Sequence, residues 1–334
     1  MSIRQLTAAL ALIPLAALTM SGCSSSSASS DAKDDPPANE ELVALTVATV
    51  GFIADGSLIT GIKQGFFEEE GLAVETSVVA NPPAGLAAAQ GGQVDIAYSP
   101  SIPLLNALSQ GIPVQIVGPA DGYPDAHVGD PSEVDGTGLV ASASSGITSI
   151  ADLAGKTIAV PARNAQLEVV IAYVLQEAGI DPSDGVNWVV LDFTSAAASL
   201  ENGTIDAAGL VDPFLAQAIE AGGELLASPS VEFLGGGASG LWVSGTSTIE
   251  HKPDSIAAFH RAIVKSNEYA TANPEVAIQA GLDYTASELT ISDVKPPTWP
   301  TEVRIEVLQR SNEKMADLGF LPGEVDLSNA IYSG

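Results

Sequence analysis

Short apolar runs rich in β-branched residues alternate along this chain with stretches whose apolar residues recur every three or four positions. The two periods predict strands and helices in succession. Residues 42–50 (LVALTVATV) predict a buried strand, 57–67 a helix, 74–79 a strand, 85–90 a helix and 95–98 a short strand. A helix over 101–110 follows, with Pro103 tolerated in its first turn, then a strand over 114–117. The rhythm restarts with strands over 157–160, 188–191 and 207–211 and helices over 166–178, 195–201 and 213–221. Long helices are predicted over 254–271 and 301–318. This succession implies an α/β protein built on mostly parallel sheets covered by helices. Two further apolar runs, 139–143 and 240–244, predict strands on which the chain crosses between lobes. The expected division is a discontinuous first lobe, 42–137 and 245–334, and a contiguous second lobe, 138–244. No repeat of solenoid period is present.

The first residues break this pattern. Arg4, an apolar stretch over 6–18 and the small residues Ser21 and Gly22 lead into Cys23, the only cysteine. The stretch is shorter than the ~20 apolar residues a spanning helix needs. It resembles a bacterial lipoprotein signal, so residues 1–22 are expected to be removed and Cys23 to carry lipid. Residues 23–41, rich in Ser, Asp and Pro, bury too little apolar surface to offset chain entropy and predict a disordered tether. The expected location is extracytoplasmic, with the protein lipid-anchored to the membrane of a bacterial cell envelope. A lone cysteine excludes an intramolecular disulfide and a cysteine-rich metal site.

Charge narrows the partners. Twelve basic against forty-one acidic residues give a net charge of −29. Such a surface repels nucleic acid and anionic headgroups and favours a soluble monomer. A local anion site is still allowed, because the screening length at physiological salt is only ~8 Å.

Several segments, in order, carry a family resemblance. They are KQGFFEEEGLAVE at 63–75, QGGQVDIA at 90–97, GIPV at 111–114, ITSIADLAGKTIAVP at 147–161, GTIDAA at 203–208, DPF at 212–214, and FHRA at 259–262 with NPE at 273–275. Together they resemble the substrate-binding proteins of nitrate, sulfonate, taurine and thiamine-precursor importers, a group that includes thiamine-pyrimidine synthases. The resemblance implies a periplasmic-binding-protein type II fold: two α/β lobes joined by two crossing strands around a central cleft. It implies a small-molecule receptor that hands its ligand to an ABC permease with ATPase subunits, works without a cofactor, and closes about the crossing strands. The cysteine-rich motif of the synthases is missing, which points away from an enzyme. Gly155-Lys156-Thr157 is no phosphate loop, since the upstream glycine of that motif would fall on Ile150.

In open α/β sheets ligands bind beyond the carboxyl ends of the strands. That rule selects Phe52, Asp55 and Ser57 after the first strand, and Tyr98, Ser99 and Ser101 around the third. In the second lobe it selects Arg163 and Asn164, then Asp212 and Phe214. Free backbone N–H groups at these helix starts suit anionic oxygens. Arg163, the one basic residue in a predicted cleft loop, fits an aliphatic sulfonate or taurine by a two-pronged contact. Tyr98, Phe214 and Asp212 instead fit a flat heteroaromatic with an amino group, such as a thiamine pyrimidine. Both ligand classes stay open. His127, His251 and His260 are scattered without metal or triad spacing, and no GxSxG, HExxH or CxxC occurs.

Overall fold

The computed structural model describes residues 42–125 and 130–333. The leader, Cys23, the Ser/Asp/Pro-rich stretch and His127 lie outside the described residues. The first half runs β1 (Val43–Thr49), α1 (Gly56–Lys63), α2 (Phe66–Glu69), β2 (Leu72–Val78), α3 (Pro82–Gln90), β3 (Ile96–Pro100), α4 (Ser101–Ser109) and β4 (Val114–Pro119). A two-residue strand, β5 (Gly122–Tyr123), leads to β6 (Thr137–Ala141) and β7 (Thr157–Val160). Then come α5 (Gln166–Glu177), β8 (Asn187–Val190), α6 (Phe193–Glu201), β9 (Ala207–Val211), α7 (Phe214–Glu220), β10 (Glu224–Ala227) and α8 (Pro229–Leu234). The chain returns through β11 (Gly237–Ala238) and β12 (Gly240–Gly245) to α9 (Thr246–His251), α10 (Pro253–Ala272), α11 (Pro274–Tyr284) and α12 (Ile305–Asp317).

Two five-stranded sheets result, ordered β2-β1-β3-β12-β4 and β10-β6-β9-β7-β8. Each has three adjacent parallel strands and one antiparallel insertion: β12 beside β3 and β4, β6 beside β9 and β10. The runs read from sequence as crossing strands are therefore interior strands, one per sheet. The passages themselves lie at 120–136 and 228–239, where β5 pairs antiparallel with β11, Gly122 opposite Ala238 and Tyr123 opposite Gly237. Gly240, just beyond, is a glycine for lack of space: a Cβ there would sit 1.7 Å from an Asp121 carboxylate oxygen.

The apolar face of each helix dictates where it lies. In α10, Ile256, Phe259, Ala262 and Ile263 fall on one face and are buried with Leu45, Val47 and Trp242 of the first sheet. The helix expected over 57–67 breaks at Gly65, whose φ of 79° is cheap only without a Cβ. The short β10 and α8, and α11 after Asn273-Pro274, were not foreseen. The helix α12 joins a core cluster that holds Ile102 and Leu105 of the first half together with Val160 and Ile171 of the second. Its basic residues bind the C-terminal carbonyls of α8: Lys314 Nζ donates to Phe233 O at 2.6 Å and Arg310 to Leu234 O at 3.2 Å. Cations at a helix C-terminus also meet the favourable end of its dipole. Among the described residues, no helix is long and apolar enough to cross a membrane.

Asn267, fully buried on α10, ties this assembly together. Its Nδ2 reaches the carbonyls of Pro119, Ala120 and Pro300, and its Oδ1 accepts from Ser57 Oγ at 2.5 Å. Removing one buried partner strands the others at ~1–3 kcal/mol each. Asn267→Leu, which keeps the volume, is expected to lower unfolding free energy by ~3 kcal/mol or more in urea titration. A loss below ~1 kcal/mol would show that the carbonyls find other partners.

Candidate ligand-binding cleft

The loop after β1 is shaped by one carboxylate. Asp55 accepts from the Phe52 N–H at 2.9 Å while its own N–H donates to Phe52 O at 3.0 Å. This folds the loop into a turn that buries Asp55 and leaves Phe52 about half exposed. The Phe52 ring stands edge-on to Tyr98 with centroids 5.9 Å apart. Tyr98 packs the same way on Trp242, and Trp242 on Phe259, so an aromatic chain runs from the surface into the core. The Tyr98 hydroxyl donates to Asp121 at 2.9 Å. Asp121 sits where the chain leaves β4, and its carbonyl accepts from the N–H groups of Ser239 and Gly240 on the returning passage. Asp55, Asp121, Tyr98, Trp242 and Asn267 line a void of about 10 Å³. Trp242 Nε1, in the same wall, has no hydrogen-bond partner.

The two carboxylates stand close enough to feel each other. Burial pushes Asp55 up from the ordinary 3.8 to about 7, against the Phe52 N–H, with the charge of Asp121 adding to the rise. Burial likewise pushes Asp121 to about 6, partly offset by the Tyr98 hydroxyl. Asp135, fully buried at the start of β6, is raised by burial despite accepting from Val231 N, Thr137 N and Thr137 Oγ1.

In the second half, the sequence-predicted residues divide. Arg163 is committed within its own lobe: Nε and Nη2 both reach Glu168 Oε1 at 2.7 Å, and the guanidinium lies 5.7 Å from the Trp188 ring centroid. Asn164, at φ 56°, gives its N–H to the other Glu168 oxygen. The buried Glu168 thus fills the N-terminus of α5 that an anionic ligand would use. Asp212, after β9, faces Lys295 Nζ at 3.3 Å, and the same ammonium donates to Asp135 O at 2.8 Å. Phe214 stacks on Phe193, centroids 5.7 Å apart, and lines a cavity of about 250 Å³ between α6 and α7.

Of the first-half candidates, Phe52 and Tyr98 meet at the crossing beside Asp121. Ser57 and Ser99 are buried, Ser57 bonded to Asn267 and Ser99 Oγ to Pro100 O at 3.0 Å. Ser101 Oγ is buried without a partner. Sequence reasoning missed Asp121, which the strand-end rule applied to the fourth strand would have found. It also missed Lys295, which sits in a proline-rich loop with no local signal.

The model of the family described as NMT1/THI5 like matches residues 56–277. The chain belongs to the NMT1/THI5-like family. A comparison with curated proteins finds no match. Among solved structures, this family member is similar to the alkanesulfonate-binding protein SsuA of Xanthomonas axonopodis pv. citri bound to MOPS. That match has 19% identity and TM-score 0.66, covering 87% of this chain and 99% of that one. The periplasmic aliphatic sulphonate binding protein SsuA of Escherichia coli is similar at 17% identity and TM-score 0.69, covering 87% and 92%. The periplasmic nitrate-binding protein NrtA of Synechocystis PCC 6803 follows at 12% and 0.64, covering 84% and 83%. At these identities the likeness is one of fold, and the fold of this NMT1/THI5-like chain is that of the periplasmic binding proteins.

The raised carboxylates give a pH dependence whose sign is fixed. A carboxyl that binds its proton more tightly when folded stabilises the fold below its unfolded value, and that contribution is lost as pH rises through the folded value. Stability is therefore expected to fall between about pH 4 and pH 7 as Asp121 and then Asp55 ionise. A rise from 3.8 to about 7 is worth at most ~4 kcal/mol. Asp55→Asn keeps an acceptor for the Phe52 N–H and should flatten this slope and raise stability at pH 8. Equal slopes for variant and wild type in chemical denaturation would refute the assignment.

Proposed function

We propose that this protein is the solute-binding component of an ABC importer. It is held at the outer face of the membrane through Cys23, acts as a monomer, and delivers its ligand to a permease driven by ATPase subunits. It is a binding protein rather than an enzyme. The observation that carries this reading is the crossing itself: Phe52, Tyr98 and Asp121 gather where the chain leaves the first of two like sheets, and Tyr123, two residues on, gives its hydroxyl to Asp135 at the entry to the second. Family membership and the fold shared with SsuA and NrtA support it.

The ligand class follows from what the cleft offers. The SsuA and NrtA likenesses favour a small organic or inorganic anion, such as a sulfonate, taurine or nitrate. The side chains favour the other class. Every described lysine and arginine already meets a carboxylate or a backbone carbonyl, Arg163 with Glu168 among them. The groups at the crossing are carboxylates, aromatic rings and one ammonium, Lys295, which Asp212 already faces. A flat heterocycle bearing an amino or amidine group, as in a thiamine-pyrimidine precursor, can lie on Phe52 and give its protons to Asp121 or Asp212.

A thermal-shift screen of the full chain against aminopyrimidines, aliphatic sulfonates, taurine and nitrate tests this. A ligand at 100 times its dissociation constant adds ~2.7 kcal/mol. The expected result is a shift with an aminopyrimidine that Asp121→Asn abolishes and Arg163→Ala leaves in place. A shift confined to sulfonates and lost in Arg163→Ala would replace this ligand class with the anion.

A further inference from the structure

Lys295 belongs to the first half and touches the second. Its loop is pinned to α10 and α11 by Ile291 and Val294, which pack against the cluster of Ala277, Ile278, Leu282 and Trp299. Three residues on, Thr298 O accepts from Gly122 N at 3.0 Å. The ammonium nevertheless finds both its partners across the crossing: the Asp212 carboxylate at the carboxyl end of β9 and the Asp135 carbonyl at the start of β6. Lys314 and Arg310 also reach over, but to the carbonyl end of a helix, away from the strand ends. The Lys295 and Asp212 side chains stay about a third exposed, so solvent and solutes can reach the pair.

Two oxygen acceptors on one half, holding an ammonium carried by the other, are what a bridging cationic ligand would need. We propose that Lys295 is a built-in stand-in for the ligand. Its ammonium fills a cation subsite made by Asp212 and the Asp135 carbonyl, holds the two halves together in the empty cleft, and gives way to the amino or amidine group of an incoming solute. This rests on the ligand class proposed above. The sign of the effect is unusual for a conserving contact: removing Lys295 frees a binding site instead of destroying one. Lys295 then sets specificity, since a solute without a cationic or proton-donating group gains nothing by displacing it, and an anion would meet Asp212.

The test needs no ligand in its first arm. The chain has a single cysteine, so in full-length protein carrying Cys23→Ser, cysteines introduced at the exposed positions Val276 on α11 and Asp184 before β8 can be spin-labelled alone. Pulsed electron resonance then reads the distance between halves. Lys295→Met and Asp212→Asn are each expected to move most of the population to longer, broader distances, and Lys295→Arg to keep the wild-type distribution. Unchanged distributions in both Met and Asn variants would overturn the proposal. In the second arm, calorimetric titration with 4-aminopyrimidine should show Lys295→Met binding roughly five- to tenfold tighter than wild type, because an internal competitor lowers apparent affinity by the fraction of sites left free. Weaker binding in Lys295→Met would make the lysine a ligand contact and overturn the stand-in role. Binding by no variant would remove the aminopyrimidine class, and the distance measurement alone would then decide whether Lys295 holds the halves.

Discussion

The cleft depends on the close antiparallel contact between the two passages of chain that join the sheets. β5 and β11 are two residues each, yet they fix the rest. Asp121 takes two N–H groups from the returning passage through its carbonyl and the Tyr98 hydroxyl through its carboxylate. Gly240 leaves the room that this carboxylate occupies. One short crossing thus aligns the exit of β4, the entrance of β12 and the aromatic chain from Phe52 to Phe259.

Charge scarcity is the second organising force. With twelve cations against forty-one anions, each lysine and arginine is worth more to the fold than to a ligand. Some of them sit on the surface, as in Arg261 with Glu70, where screening leaves the pair worth little. Others are spent at the junction between halves, on carbonyls of α8 and on Asp212. Near the crossing Asp55, Asp121 and Asp135 are all raised, and burial is the largest cause in each case.

Much of the fold was legible in particular stretches. LVALTVATV could only be a buried strand, and the three- and four-residue spacing of Ile256, Phe259 and Ile263 could only be one helix face. The misses were short or interrupted: Gly65 splits one helix, and β10 and α8 are too brief to show a period. α11 opens with Asn273-Pro274-Glu275, a helix-start signal that is also part of the family resemblance. Strand-end reasoning selects Phe52, Tyr98 and Asp212, because loops after parallel strands all emerge on one side of a sheet. It is silent on the partner of Arg163, since nothing in the sequence says that a glutamate five residues on turns back to pair with it.

The sequence by itself determined period, and period determined which residues form strands and helices and that two such sets follow each other. These are local properties, set by side chains a few positions apart. Only the tertiary structure decided which strand is inserted antiparallel in each sheet, where the chain crosses, and which charges meet. Lys295 and Asp212 lie far apart in sequence and owe their contact to the packing of α10, α11 and β9 rather than to anything near either residue. An ion pair at that separation has no sequence signature, because its energy comes from distance in space.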